Sequence, residues 1–172
     1  MGLREGSIEW FSPDPRAILP LQDFKIPHGL RRALAKKKFE VRINAAFGEV
    51  VRACADRSET WITSDIIGSY ENLHKLGYAH SVEAWHEGKL AGGLYGVALG
   101  GAFFGESMFH WVTDASKVAL VGLVERLKTR KFVLLDTQWS TPHLEQFGAI
   151  EVTRRSYLRM LNRAVELKRS FV

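Results

Sequence analysis

The chain has 172 residues, 46% of them hydrophobic, with a formal net charge of +5, enough apolar material for one well-packed core. No stretch reaches the roughly 20 apolar residues of a membrane-spanning helix, and Met1 to Glu9 carries no apolar signal-peptide core. A single cysteine, Cys54, excludes an internal disulfide and fits a reducing, cytoplasmic setting.

Trp10 to Arg16, WFSPDPR, is punctuated by prolines and excludes a helix interior. Ala17 to Leu19 reads as a short strand stopped by Pro20. Pro27 to Lys38 then predicts a helix, with Pro27 near its first turn and Leu30 and Leu34 four apart. The other face of this helix is basic: Lys25, Arg31, Arg32, Lys36, Lys37, Lys38 and, just beyond, Arg42 stand against Glu40 alone. Crowding of like charges costs stability. A phosphate backbone would relieve it; a solvated face is the alternative.

Phe39 to Ile43 alternates like a strand. Ala46 to Ala55 predicts a helix on Phe47, Val50, Val51 and Cys54, which makes Cys54 a core residue rather than a nucleophile. Thr63 is a candidate N-cap for a helix running to Leu76 and ending at Gly77. Ala79 to His86 predicts a strand showing His80, Val82, Ala84 and His86 on one face and Ser81, Glu83 and Trp85 on the other.

Glu87-Gly88 turns the chain into the stretch Gly92 to Phe109, GGLYGVALGGAFFGESMF, two extended arms around Gly100-Gly101. Gly92, Gly93 and Gly96 mark places of close approach. In the second arm one acid, Glu106, stands among Phe103, Phe104, Met108 and Phe109, where an unpaired carboxylate is costly. A greasy pocket with one acid at its lip suits an aminoacyl group, apolar at one end and ammonium at the other. Strict alternation separates Glu106 and Met108 from Phe103, so a shared pocket requires a β-bulge at Phe104-Gly105.

Thr113 or Asp114 should cap a helix with Leu120, Leu123, Val124 and Leu127 on one stripe. Phe132 to Leu135 reads as a strand buried on both faces, ending in Asp136-Thr137-Gln138. Thr141 caps a short helix through Phe147 closed by Gly148. Ala149 to Val152 is a last strand, and Thr153 caps a terminal helix on Tyr157, Met160, Leu161 and Val165. The histidines at 28, 74, 80, 86, 110 and 143 lack paired ligand spacing, so no metal is expected. No phosphate loop, dinucleotide pattern or G-x-S-x-G elbow occurs.

From residue 79 onward, the element order is that of an acyl-CoA-type acetyltransferase core. Its pyrophosphate loop is replaced by His110-Trp111-Val112-Thr113-Asp114-Ala115-Ser116-Lys117, so acetyl-CoA is not the expected donor. Several segments in order resemble the leucyl/phenylalanyl-tRNA–protein transferases. They are W-x-S-P-D-P-R (Trp10 to Arg16), T-W-I (Thr60 to Ile62), H-x-x-G-x-A-H-S-V-E-x-W (His74 to Trp85), G-G-L-Y-G (Gly92 to Gly96), F-F-G-E-S-M-F (Phe103 to Phe109), A-S-K (Ala115 to Lys117), D-T-Q (Asp136 to Gln138) and H-L-x-x-F-G-A (His143 to Ala149).

The resemblance implies an α+β fold: an acetyltransferase-like (GNAT-like) mixed sheet flanked by helices, at 61–172, preceded by a small truncated N-terminal α/β domain, at 1–60, that carries the basic tRNA-binding helix. It implies a cytoplasmic monomer, without cofactor or membrane, acting on leucyl-tRNA and phenylalanyl-tRNA. Leu or Phe, and Met less well, would pass to the N-terminal Arg or Lys of acceptor proteins, forming a peptide bond that marks them for N-end rule degradation. On the matched positions, Leu94, Phe103, Met108, Leu120, Leu123 and Leu127 would line the side-chain pocket, with Trp61 at the acceptor end and Arg31, Arg32, Lys36 and Lys37 on tRNA. Plain core is the competing reading for the three helix leucines. Glu106 would hold the amino group. Asp136 and Gln138 would sit near the reacting amine, either relaying a proton or fixing the acceptor's N-terminus.

The chain departs from the family in two places. Met1 stands where a preceding G-x-F-P-[WM] segment would end, which means a misassigned start codon or a shortened enzyme, and His28 stands where Arg is frequent. The competing functions are an acyl-CoA-type N-acyltransferase and a non-catalytic tRNA-binding module.

Overall fold

The computed structural model describes residues 11–58 and 60–172. The readings made on Met1 to Glu9, and Trp10 of the WFSPDPR stretch, lie outside the described residues.

β1 (Arg16–Ile18) is followed by α1 (His28–Ala35), which Pro27 opens, then β2 (Glu40–Ile43) and α2 (Phe47–Ala55). α3 (Ser64–Lys75) starts on Thr63, whose side chain accepts the Ile66 N–H. β3 (Ala79–His86), β4 (Lys89–Leu99) and β5 (Ala102–His110) form a meander whose second turn has Gly100 at φ 58°, a conformation glycine adopts without steric cost. α4 (Ala115–Thr129), β6 (Leu134–Gln138), α5 (Pro142–Glu145), β7 (Ile150–Val152) and α6 (Arg154–Val165) complete the order. Thr141 and Thr153 cap α5 and α6 as their sequence positions suggest.

The strands make one mixed sheet in the order β2-β3-β4-β5-β6-β1-β7. Its one parallel pair among these strands is β5 with β6. This is the expected mixed sheet flanked by helices. Both β1 and β2, from the first sixty residues, are strands of that same sheet. α4 buries Leu120, Leu123, Val124 and Leu127 in a core shared with Val82, Ala84 and Leu94. On the opposite face α2 contributes Val50, Val51 and Cys54 to a second cluster with Tyr95 and Phe109. A third cluster joins Tyr157 and Ala164 of α6 to Ile18, Ala102 and Leu134. Among the described residues no helix is long and apolar enough to cross a membrane.

Two local expectations need correcting. Asp114 does take the N-cap position of α4, but at φ 70° it makes no side-chain capping bond. That backbone turns its carboxylate to Lys117 Nζ, at 2.9 Å. The apolar run Phe132 to Leu135 is not a strand buried on both faces either. Val133 is 57% exposed, because the run begins as the turn that closes α4, with the Phe132 N–H donating to the Leu127 carbonyl. The strand starts at Leu134 and ends, as the sequence suggests, in Asp136, Thr137 and Gln138.

Glu83, fully buried on β3, is matched by local donors. Its carboxylate accepts the Ser81 hydroxyl at 2.5 Å and the Ala45 and Ala46 N–H groups at 3.3 and 3.4 Å. These amides lie at the start of α2, where the helix dipole favours negative charge. Cys54 is buried as expected, and burial pushes its thiol up to about 12. Iodoacetamide at neutral pH should therefore leave the native chain unmodified and label it fully in denaturant; labelling of the native chain at the rate of a free thiol would contradict this packing.

Candidate active site

The site forms where β5 and β6 cease to pair. Their parallel register runs from Ala102 opposite Leu134 to Phe104 opposite Asp136. On its other edge β5 slips against β4: Tyr95 faces Ser107 while Gly96 faces Gly105. Glu106 is thus the extra residue of a β-bulge, one position beyond the expected Phe104-Gly105. The slip puts Phe103, opposite Ala98, and Met108, opposite Leu94, on one face of the sheet. Plain alternation would have set them on opposite faces.

Past Phe104 the Gln138 side chain spans from β6 to β5. Its Nε2 donates to Glu106 Oε2 at 3.2 Å and to the Gly105 carbonyl at 3.3 Å. Burial pushes the Glu106 carboxyl above the ordinary carboxylate range, and hydrogen bonding from Gln138 and Tyr70 only partly offsets this.

Asp136 has no exposed surface. The Arg16 guanidinium grips it bidentately, Nε to Oδ1 at 3.0 Å and Nη2 to Oδ2 at 2.8 Å. The Tyr157 hydroxyl donates to Oδ2 at 2.5 Å, and the Gln138 main-chain N–H donates to Oδ1 at 2.8 Å. Asp136 therefore reaches Gln138 through the backbone, not through the Gln138 amide. Neither Arg16 nor Tyr157 is singled out by sequence. Arg16 lies 120 positions from its partner, and Tyr157 reads as one apolar anchor on an amphipathic helix. The available signal was that a buried tyrosine hydroxyl usually needs a partner.

A cavity of about 690 Å³ opens at this junction. Leu94, Met108, Leu120 and Leu123 line it, together with Leu135 and Leu144, and Glu106 is in its wall. Phe103 and Leu127 are not in the wall. The Phe103 ring packs 5.2 Å from Phe171, centroid to centroid, and Leu127 of α4 is wholly within the core. Polar lining comes from Thr137, His143 and Arg57 among others, including Asp56 and His110. The Arg57 Nη2 donates to Ser107 Oγ at 3.1 Å and to the Met108 carbonyl. Among the described residues, the buried Tyr95 hydroxyl, Thr137 Oγ1 and His143 Nε2 have no hydrogen-bond partner, and all three residues face the cavity.

Trp61 stands outside this wall, 51% exposed in the segment just before α3. Arg31 and Arg32 on α1, and Lys36 and Lys37 just past its end, are exposed. Arg42, counted with them by sequence, is instead paired to Glu40 at 2.7 Å and stacked on Trp85.

A mixed sheet opening beside a bulge, with the Glu106 carboxylate in the wall of a largely apolar cavity, is the frame of an acyltransferase-type enzyme. The model of the family described as leucyl/phenylalanyl-tRNA protein transferase matches residues 18–162, and the chain belongs to that family. The leucyl/phenylalanyl-tRNA–protein transferase of Akkermansia muciniphila is 58% identical over 165 residues, covering 94% of this chain and 86% of that one. The one from Salinibacter ruber is 57% identical, covering 94% and 72%. Among solved structures, L-PGS from Bacillus licheniformis superimposes with a TM-score of 0.53 at 12% identity, covering 90% of this chain and 66% of that one; this is a likeness of fold.

Proposed function

We propose that the chain transfers Leu or Phe, and Met less well, from aminoacyl-tRNA to the N-terminal Arg or Lys of acceptor proteins, marking them for N-end rule degradation. The observation that carries the reading is the placement of Glu106, at a bulge in the wall of a leucine- and methionine-lined cavity. The donor side chain fits the lobe of Leu94, Met108, Leu120 and Leu123. Its ammonium meets Glu106, and the charge it brings favours the ionised carboxylate. Ile and Val, branched and stiff at Cβ, fit such a slot poorly.

The aminoacyl ester is already activated. The acceptor amine, with an ordinary pKa near 8, is appreciably neutral at pH 7. It attacks the ester carbonyl, and collapse of the tetrahedral adduct expels the ribose oxygen, which takes up the amine proton. Orientation supplies most of the acceleration. In this reading residues 1–60 hold the tRNA through Arg31, Arg32, Lys36 and Lys37, with Trp61 at the acceptor end, and residues 61–172 carry out transfer.

The test is direct. The chain is incubated with phenylalanyl-tRNA or leucyl-tRNA and a peptide beginning with arginine or, as control, with alanine. A one-residue gain in mass on the arginine peptide alone is expected. No extension of either peptide would sink the reading. Charge reversal of Arg32 and Lys36 should weaken tRNA binding and flatten its salt dependence; an unchanged salt slope would remove α1 from the interface.

A further inference from the structure

We propose that Arg16 and Tyr157 are positioning residues for transfer: they seat Asp136 so that its carboxylate holds the Gln138 main chain in a left-handed turn and aims the Gln138 amide at Glu106. This rests on the transferase reading of the same site.

Three observations lead there. Asp136 is wholly buried, and its two oxygens receive donors from β1, from α6 and from the backbone two residues on. With those bonds made, the carboxylate is engaged on both oxygens, and its link to the rest of the site is the Gln138 N–H. Gln138 itself sits at φ 66°, a region in which residues other than glycine persist only when their surroundings hold them. The bond from its N–H to Asp136 Oδ1 is the side-chain-to-backbone turn that provides such a hold. Finally, the side chain this conformation directs is the one that contacts the bulge, at Glu106 Oε2 and the Gly105 carbonyl.

The clamp is built for rigidity. Arg16 is only 14% exposed at its side chain and lies over the Tyr157 ring, 5.0 Å from its centroid. The planar guanidinium fork matches both carboxylate oxygens at once, a geometry that a lysine ammonium cannot reproduce. The first strand and the last helix thus meet on one carboxylate, and the effect passes through one main-chain bond to the side chain beside Glu106. A clamp that merely stapled α6 and β1 to the sheet would affect stability and leave transfer alone.

A double-mutant cycle separates these roles. The steady-state constants for phenylalanyl transfer to the arginine peptide are measured for the parent, Tyr157→Phe, Gln138→Ala and the double variant, with thermal unfolding of each. Tyr157→Phe removes one hydroxyl and keeps the ring. It should lower kcat about 10-fold while leaving KM for phenylalanyl-tRNA within about two-fold. In the Gln138→Ala background the same change should leave kcat unaltered, because the side chain it acts through is gone. Arg16→Lys should behave as Tyr157→Phe does in both backgrounds. If the two losses multiply, or if Tyr157→Phe lowers the unfolding temperature with kcat intact, the inference is overturned. A parent that transfers nothing overturns the reading beneath it, and that outcome is visible before any variant is compared.

Discussion

Glu106→Gln should make the chain more stable at neutral pH and at the same time reduce transfer by roughly 100-fold, the worth of one charge-assisted contact of about 2.7 kcal/mol. The activity loss follows from removing the negative charge that meets the donor ammonium. The stability gain follows from linkage. Burial, less the partial relief from Gln138 and Tyr70, holds the Glu106 carboxyl above its ordinary value in the folded chain. Between that ordinary value and the folded one, the folded state binds more protons than the unfolded state, so stability falls as pH rises through the window. The full cost is present above it. Glutamine keeps the shape, can still accept from the Gln138 amide, and never ionises. The difference in unfolding temperature between variant and parent should therefore be smallest at acid pH, grow through that window, and reach a plateau of a few degrees at neutral pH. A difference that does not vary with pH would show that ionising Glu106 costs the fold nothing.

Gly96→Ala should destabilise the chain by about 3 kcal/mol or more. A methyl group at Gly96 would collide with the Phe104 carbonyl oxygen and lie 2.5 Å from Phe103 Cε1. The carbonyl belongs to the neighbouring strand at the bulge, where Gly96 faces Gly105, so it cannot retreat without breaking the β4–β5 ladder. A lowering of the unfolding temperature by about 10 °C is expected. Gly29→Ala is the control. It sits in α1 with nothing within 4 Å, and alanine there should be neutral or stabilising by up to about 1 kcal/mol. Equal unfolding temperatures for Gly96→Ala and the parent would mean that the bulge adapts.

Local chemistry made the elements legible. The caps at Thr63, Thr141 and Thr153, the Gly100-Gly101 turn and the apolar face of α2 all announce themselves within a few residues. The need for a bulge near Gly105 could also be argued, because Phe103 and Met108 cannot share a face without one. Pairing at long range carries no such signal. Nothing beside Arg16 says that its carboxylate lies 120 positions away, and nothing beside Glu83 says that the start of α2 will meet it. The pocket was half legible for a related reason. A stripe of leucines looks the same whether it faces protein or empty space, so Leu120 and Leu123 on the cavity wall and Leu127 in the core read alike. The slip brings Phe103 to the Met108 face, but its ring turns toward Phe171, a neighbour only the tertiary fold supplies.

The placement of β1 between β6 and β7 also sets when the Asp136 clamp can form in a newly made chain. β1 leaves the ribosome early, yet both of its neighbours are synthesised more than a hundred residues later, a wait on the order of ten seconds at ordinary elongation rates. It is only three residues long, too short to offer passing chains much of an edge to pair with. Asp136 acquires its full set of donors only when Tyr157 of α6 has emerged to join Arg16. A half-made chain thus lacks the clamp throughout the interval in which it sits beside the charged tRNAs that feed translation. The strand order withholds the clamp until α6 has been made.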